Sequence, residues 1–156
     1  VLHSAALVDD GRGFLFCGRS GAGKTTLCGL ARELEIEVLS DELNAVVPTE
    51  SGYALCAMPF AGDFGGLPIP GAPYPLRGLM GLEHTPEPRL RGCSKAEAVS
   101  RIVASCPYIN ADPQLTDALV RRARDLNSQV PLRILSFAKT TSFWRVLNDE
   151  YRDGDG

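Results

Sequence analysis

The sequence predicts an α/β fold, a mixed β-sheet with flanking helices around one core, on three observations. A short apolar run at residues 14–17, the pattern of a strand buried on both faces, leads directly into the glycine-rich stretch GRSGAGKTT at 18–26. An amphipathic helix pattern follows at once, with Leu27, Leu30, Ala31 and Leu34 at i, i+3, i+4 and i+7. Further strand and helix patterns then fill the chain, whose 156 residues suit a single domain with a sizeable core.

In chain order, residues 1–18 read as strand, turn, strand, with Asp10-Gly11 and Gly13 making the reversal. A helix is expected from about Lys24 to Leu34, then a strand over 36–42 ending on Asp41-Glu42. Residues 43–48 and 53–58 flank the turn TESG as a hairpin. Residues 59–75 are rich in proline and glycine, which excludes helix and central strand and predicts a long functional loop. A strand over 76–83 is followed by an irregular stretch to Cys93. Ser94 and Glu97 form the capping box of a helix over 94–105. Asp112-Pro113 opens another helix, with Leu115, Leu119, Ala123 and Leu126 on one face. Residues 130–138 make a last strand, and 141–150 a terminal helix that turns Phe143, Trp144 and Leu147 inward. One domain over 1–150 with a frayed tail at 151–156 is the expected organisation.

Composition narrows the function classes. Apolar residues are 44% and charged residues 22%, and the net charge of -3 gives no electrostatic reason for nucleic acid or an anionic membrane as partner. No apolar run approaches the ~20 residues of a membrane helix, and no signal-peptide pattern opens the chain. Five cysteines stand singly with only two histidines, which argues against a zinc site or a disulfide framework and for reduced thiols in a cytoplasm.

Gly18, four residues, then Gly23-Lys24-Thr25 satisfy the phosphate-binding pattern G-x-x-x-x-G-K-[ST]. Backbone N–H groups must turn inward around a β-phosphate, and Gly18, Gly21 and Gly23 remove side chains that would clash. Arg19, Ser20, Ala22 and Thr26 complete the cradle. Lys24 offers a point charge to the β- and γ-phosphates, Thr25 a hydroxyl for Mg²⁺, and the following helix the positive end of its dipole. Such a match arises by accident in on the order of 1% of chains this long. Flanked by a buried strand and an amphipathic helix, it predicts nucleotide or phosphate binding. No N-K-x-D for a guanine base and no L-S-G-G-Q signature is present.

Asp41 and Glu42 end the strand after that helix, where a carboxylate can hold Mg²⁺ or accept the proton of an attacking hydroxyl. His3 lies on the strand that pairs with the one feeding the loop. Arg77, at the exit of the proline-rich segment, is a candidate to neutralise phosphoryl charge.

The stretches LHSAALVDDGRGFLFCGRSGAGKTT, VLSDEL and PLRGLMGLE together resemble the HPr kinase/phosphorylase family and its stand-alone relatives, and more distantly the phosphoenolpyruvate carboxykinases. The motifs cover roughly residues 2–83, and only SFWRVL matches loosely beyond them. The resemblance implies an HPr kinase/phosphoenolpyruvate carboxykinase-like P-loop fold and an ATP- and Mg²⁺-dependent kinase. It implies that His3 is the active-site histidine, Lys24 the phosphate lysine, Thr25 with Asp41 the Mg²⁺ side chains, Glu42 the base and Arg77 a catalytic arginine. Two departures stand out: Glu42 replaces an aspartate, and Pro75 occupies the position of a metal-binding glutamate. A second metal carboxylate would have to come from elsewhere, such as Asp63 or Glu83.

The expected partners are a nucleotide and a serine-bearing protein, peptide or small-molecule acceptor, with a homo-oligomer suggested by the family's hexamers. Two other readings stay open. One is a nucleotide-binding regulatory module that does not turn over. The other is a carboxykinase-type phosphotransferase acting on a small metabolite, with Arg89 or Arg91 as extra cations.

Overall fold

A computed structural model describes residues 1–56, 58–59, 73–106 and 113–152. The described elements are β1 (Leu2–Asp9), β2 (Arg12–Cys17), α1 (Lys24–Glu33), β3 (Glu37–Ser40), β4 (Leu43–Thr49), β5 (Gly52–Cys56), β6 (Tyr74–His84), β7 (Arg89–Gly92), α2 (Lys95–Ala104), α3 (Pro113–Gln129), β8 (Leu132–Phe137) and α4 (Ser142–Tyr151).

The expected sheet architecture is overturned. β2 pairs β1 antiparallel and β6 parallel, β1 pairs β4, β4 pairs β5, and β5 pairs β6, so five strands close on themselves as a barrel. The HPr kinase/phosphoenolpyruvate carboxykinase-like sheet with flanking helices, implied by the sequence motifs, is therefore not the fold of this chain. Closure depends on two strands that each divide one edge between two partners. β1 gives Ala6 to Val8 to β3 but Leu2 and His3 to β4, with a register shift beside Ala6. β6 gives Tyr74 and Pro75 to β5 but Leu79 to His84 to β8. The β4–β5 hairpin spans the two divided edges, and β3, β8 and β7 extend the sheet beyond the ring.

Local chemistry explains most element ends. Asp10 (φ 49°) and Gly11 (φ 70°) are both left-handed, as a two-residue turn between twisted antiparallel strands requires. Ser94 caps α2 by accepting from the Glu97 N–H at 3.1 Å. α1 stops in a different way: Glu35 is left-handed (φ 60°), and the Ile36 and Glu35 N–H groups reach back to the Ala31 and Arg32 carbonyls. That is a Schellman-type ending without the usual glycine.

Two cores replace the single one expected. Ala6, Val8, Leu15, Cys17 and Leu79 pack with Ala98 and Ile102 of α2 and Leu119, Ala123 and Leu126 of α3. The neighbouring residues Ala5, Leu7, Phe14, Phe16 and Met80 point the other way. They pack with Leu27, Cys28 and Ala31 of α1 and Phe143, Trp144 and Leu147 of α4. β1, β2, β6 and β8 are thus apolar on both faces, which is why they read as near-continuous apolar runs.

Three expectations change in detail. Leu115 and Leu34, placed on buried helix faces by periodicity, are exposed at 44% and 38%. β7 forms within the stretch read as irregular, and β6 begins at Tyr74, inside the stretch read as loop. Asp63, Asp112 and most of the proline-rich segment lie outside the described residues, as does most of the expected tail. The five cysteines form no disulfide. Among the described residues no helix is long and apolar enough to cross a membrane.

Candidate functional site

The glycine loop lies between β2 and α1, at the end of β2 where Cys17 faces Gly81 of β6. Its backbone needs the glycines in two ways. Gly21 (φ 80°) and Gly23 (φ 94°) are left-handed, which side chains disfavour. A Cβ on Gly18 would stand 2.6 Å from the Ala22 Cβ, so the loop folds too tightly there for any other residue. The Ala22 N–H donates to the Arg19 carbonyl at 3.0 Å and closes the curve. Gly23 caps α1 without a side-chain bond, and no acidic residue stands in the first turn. The amide donors at that helix start are thereby left for an anion.

Lys24 is buried, 7% exposed, and its Nζ donates to the Gly18 and Arg19 carbonyls at 3.0 and 3.3 Å. Burial holds its pKa below the ordinary lysine value, and Cys17 and Asp41 pull against that shift. A desolvated ammonium whose hydrogen-bond partners among the described residues are two neutral carbonyls would be favoured by an anion beside it.

Thr25 Oγ1 donates to Asp41 Oδ2 at 2.8 Å, tying the start of α1 to the residue after β3. Asp41 is 5% exposed, and its other oxygen, Oδ1, is buried with no hydrogen-bond partner among the described residues. An orphaned carboxylate oxygen beside a threonine hydroxyl fits Mg²⁺, which binds through one or two carboxylates and otherwise through phosphates and water. Among the described residues no group of three or more His, Cys, Asp or Glu assembles into a metal centre.

Asp41 and Glu42 occupy the point where the edge of β1 passes from β3 to β4. The Ser4 N–H donates to the Glu42 carbonyl at 3.0 Å, and the Glu42 N–H to Ser40 Oγ at 3.1 Å. Buried Asp41 and exposed Glu42 therefore have different environments although adjacent. His3 is half-buried on β1, with its backbone N–H bonded to the Ser105 carbonyl. Burial and the charge of Lys24 lower its pKa, while Glu42 and Asp41 work to raise it. His3 thus lies within electrostatic reach of Lys24, Asp41 and Glu42, and the net effect disfavours its charged form.

Arg77 is not brought to this group. Leu76 pairs with Gly13 at the start of β2, and Gly81 with Cys17 at its end. Arg77 therefore lies roughly 13 Å back along β6, by the usual strand rise. It lines a separate cavity at the opposite end of the parallel strands. The motif order along the chain suggested proximity, but the strand direction prevents it.

The guanidiniums near the loop are Arg19 and Arg101. A cleft of about 760 Å³ is lined by His3, the loop from Gly18 to Ala22, the end of β6 at Glu83 and His84, and α2 from Glu97 to Ser105. Arg101 crosses Gly81, where a Cβ would come within 3.1 Å of its Cδ. Its Nη2 donates to Glu83 at 2.5 Å and to Glu97 at 3.1 Å, and Arg91 adds a bond to Glu83 at 3.2 Å. This ion-pair network occupies Glu83, the alternative metal carboxylate that the sequence offers. Of the extra cations the sequence offers, Arg91 belongs to this network, and neither Arg89 nor Arg91 is among the described residues that line the cleft. The Glu97–Arg101 spacing of i, i+4 was visible in the sequence. That its helix face meets Gly81 was not.

Burial opposes charge on Glu83, but the bonds from Arg91 and Arg101 outweigh it and hold its carboxyl below the ordinary glutamate range. The unfolded chain therefore takes up the proton first as pH falls. The network's stabilisation is complete above the unfolded value, about 4.3, and is lost as pH falls through the lower folded value. Glu83→Gln is expected to flatten this acid limb in urea titrations across that range, with a limb unchanged from wild type as the contrary result.

Compared with known proteins, the chain matches no family model, no curated protein and no solved structure.

Proposed function

We propose that the chain binds MgATP at Gly18–Thr26 and transfers the γ-phosphoryl group to a hydroxyl acceptor, as a serine kinase of HPr kinase-like type. The observation that carries this reading is the Thr25–Asp41 hydrogen bond with the orphaned Asp41 Oδ1, directly beside a glycine loop that encloses a buried lysine.

In this mechanism the loop amides and the start of α1 receive the β- and γ-phosphates, and Lys24 exchanges its two carbonyl partners for phosphate oxygens. Thr25 and Asp41 would hold Mg²⁺, which when bound neutralises charge on the β- and γ-oxygens. Glu42, exposed next to the group, accepts the proton of the acceptor hydroxyl as the hydroxyl oxygen bonds to phosphorus and the bond to the ADP oxygen breaks. His3, within electrostatic reach of Lys24 and the acidic pair, would orient that pair or a phosphate. The cleft beside the loop offers the acceptor or the nucleoside its place, with Arg19 and Arg101 on its walls.

Transfer of label from γ-labelled ATP to a panel of serine-bearing peptides and free serine tests this reading. Wild-type protein is expected to label an acceptor, and Glu42→Gln to lower the rate by about 10²–10⁴-fold with ATP affinity kept. Equal rates in the two proteins would refute Glu42 as base. ATP binding without transfer to any acceptor would favour the second reading, a nucleotide-binding regulatory module. That reading draws on Pro75, which stands where the resembling family has a metal-binding glutamate, and on the distance of Arg77 from the loop.

A further inference from the structure

We propose that the cavity at the opposite end of the sheet is a second ligand site, for a small aromatic anion such as an aryl phosphate or aryl carboxylate. This inference does not depend on phosphoryl transfer at the glycine loop.

The topology creates the site. β2 and β8 both run parallel to β6 on either side of it. Arg12 opens β2, Arg77 lies near the start of β6, and Arg133 near the start of β8. Parallel neighbours begin at the same end of a sheet, so three guanidiniums separated widely in sequence converge on one cavity of about 1040 Å³. No carboxylate is among its described lining residues. Asp9 stands 3.7 Å from Arg12, and Glu150 pairs with Arg133, both from outside the described lining.

Asp9 and Glu150 offset part of the charge of Arg12 and Arg133 from outside the lining, and an anion in the cavity would meet the planar donor forks of these arginines from the open side. The remaining surface selects the body of the ligand. Tyr53, Tyr151 and Pro75 also line the cavity and supply ring carbon to its wall, against which the body of an aryl ligand can pack. The Tyr53 hydroxyl is engaged by Asp125 at 2.5 Å. Burial and Glu150 raise the pKa of Tyr151, while Arg133 and Arg77 pull against that rise, so both cations lie within electrostatic reach of one lining residue. A bare inorganic anion would leave the aromatic walls unused.

Phenyl phosphate is the probe, titrated calorimetrically into the whole chain and into Lys24→Ala, Arg77→Gln and Arg133→Gln. Lys24→Ala, which removes the phosphate lysine of the glycine loop, is expected to keep binding of the probe at this cavity, so the arginine substitutions and the inorganic-phosphate comparison are read in that background. Each arginine variant should lose about tenfold or more in affinity, and inorganic phosphate should bind at least about tenfold more weakly than phenyl phosphate. Nuclear magnetic resonance reads the same question without a substitution in the cavity. The expected result is shifts at Arg77, Arg133 and Tyr151 that persist in Lys24→Ala, whether or not Gly21 and Gly23 also move in wild type. Shifts confined to Gly21 and Gly23, with binding lost in Lys24→Ala, would assign the probe to the glycine loop and overturn the proposal. So would no binding at about millimolar probe, or equal affinity for phenyl and inorganic phosphate.

Discussion

Lys24→Ala is expected to lower phosphoryl transfer from MgATP by at least about 10²–10³-fold while leaving the fold intact. The side chain is buried, and its ammonium is held over the curve of the loop by the Gly18 and Arg19 carbonyls. Both carbonyls belong to the segment that would receive phosphate, so the charge is already placed where the γ-phosphoryl charge is carried. Alanine removes that charge and gives those carbonyls to water, a change at the mouth of the loop rather than in either core. Circular dichroism should therefore match wild type, and calorimetry should show weakened ATP binding. Lys24→Arg is not expected to rescue, because a planar guanidinium does not fit a buried position shaped for a compact ammonium. Wild-type turnover in Lys24→Ala would mean that the loop is not the phosphate site, whatever its pattern.

Phe16→Ala is expected to destabilise the protein by about 3–5 kcal/mol. That corresponds to a fall in Tm of roughly 6–20 °C for a chain of this size. Phe16 is wholly buried on β2, opposite Ala5 of β1 and Met80 of β6, in the core shared with α1 and α4. Its strand is also the one whose two edges close the barrel. Truncation leaves a cavity that these backbones, fixed by pairing on both sides, cannot collapse to fill. Leu115→Ala is the control: at 44% exposure it should shift stability by no more than about 0.5 kcal/mol. Thermal denaturation of the two variants separates the cases, and equal shifts would contradict the two-core packing.

The contrast between Phe16 and Leu115 shows how far patterning reaches. Periodicity placed Leu119, Ala123 and Leu126 on one helix face correctly, because a 3.6-residue repeat fixes which side chains share a face. It also placed Leu115 there, although nothing in the repeat says where the partner surface ends. The same limit applies to Arg77 and Arg101. Along the chain, Arg77 follows the loop motifs closely and Arg101 stands far away. In space, the parallel pairing of β2 with β6 puts Arg77 at the wrong end of its strand, and the helix after β7 brings Arg101 to the cleft.

The sequence by itself determined the local structures whose cause is local. The Asp10-Gly11 turn, the Ser94 cap, the strand–loop–helix around Gly18–Thr26 and the position of Asp41-Glu42 after β3 all follow from backbone preference and hydrogen-bonding chemistry within a few residues. Tertiary structure alone decided the rest. Whether strands 1, 2, 4, 5 and 6 close into a barrel depends on which edges β1 and β6 divide, and edge pairing between distant segments is set by the packing of both faces at once. No short pattern encodes that choice, because β1, β2 and β6 are apolar on both faces and would satisfy an open sheet equally well.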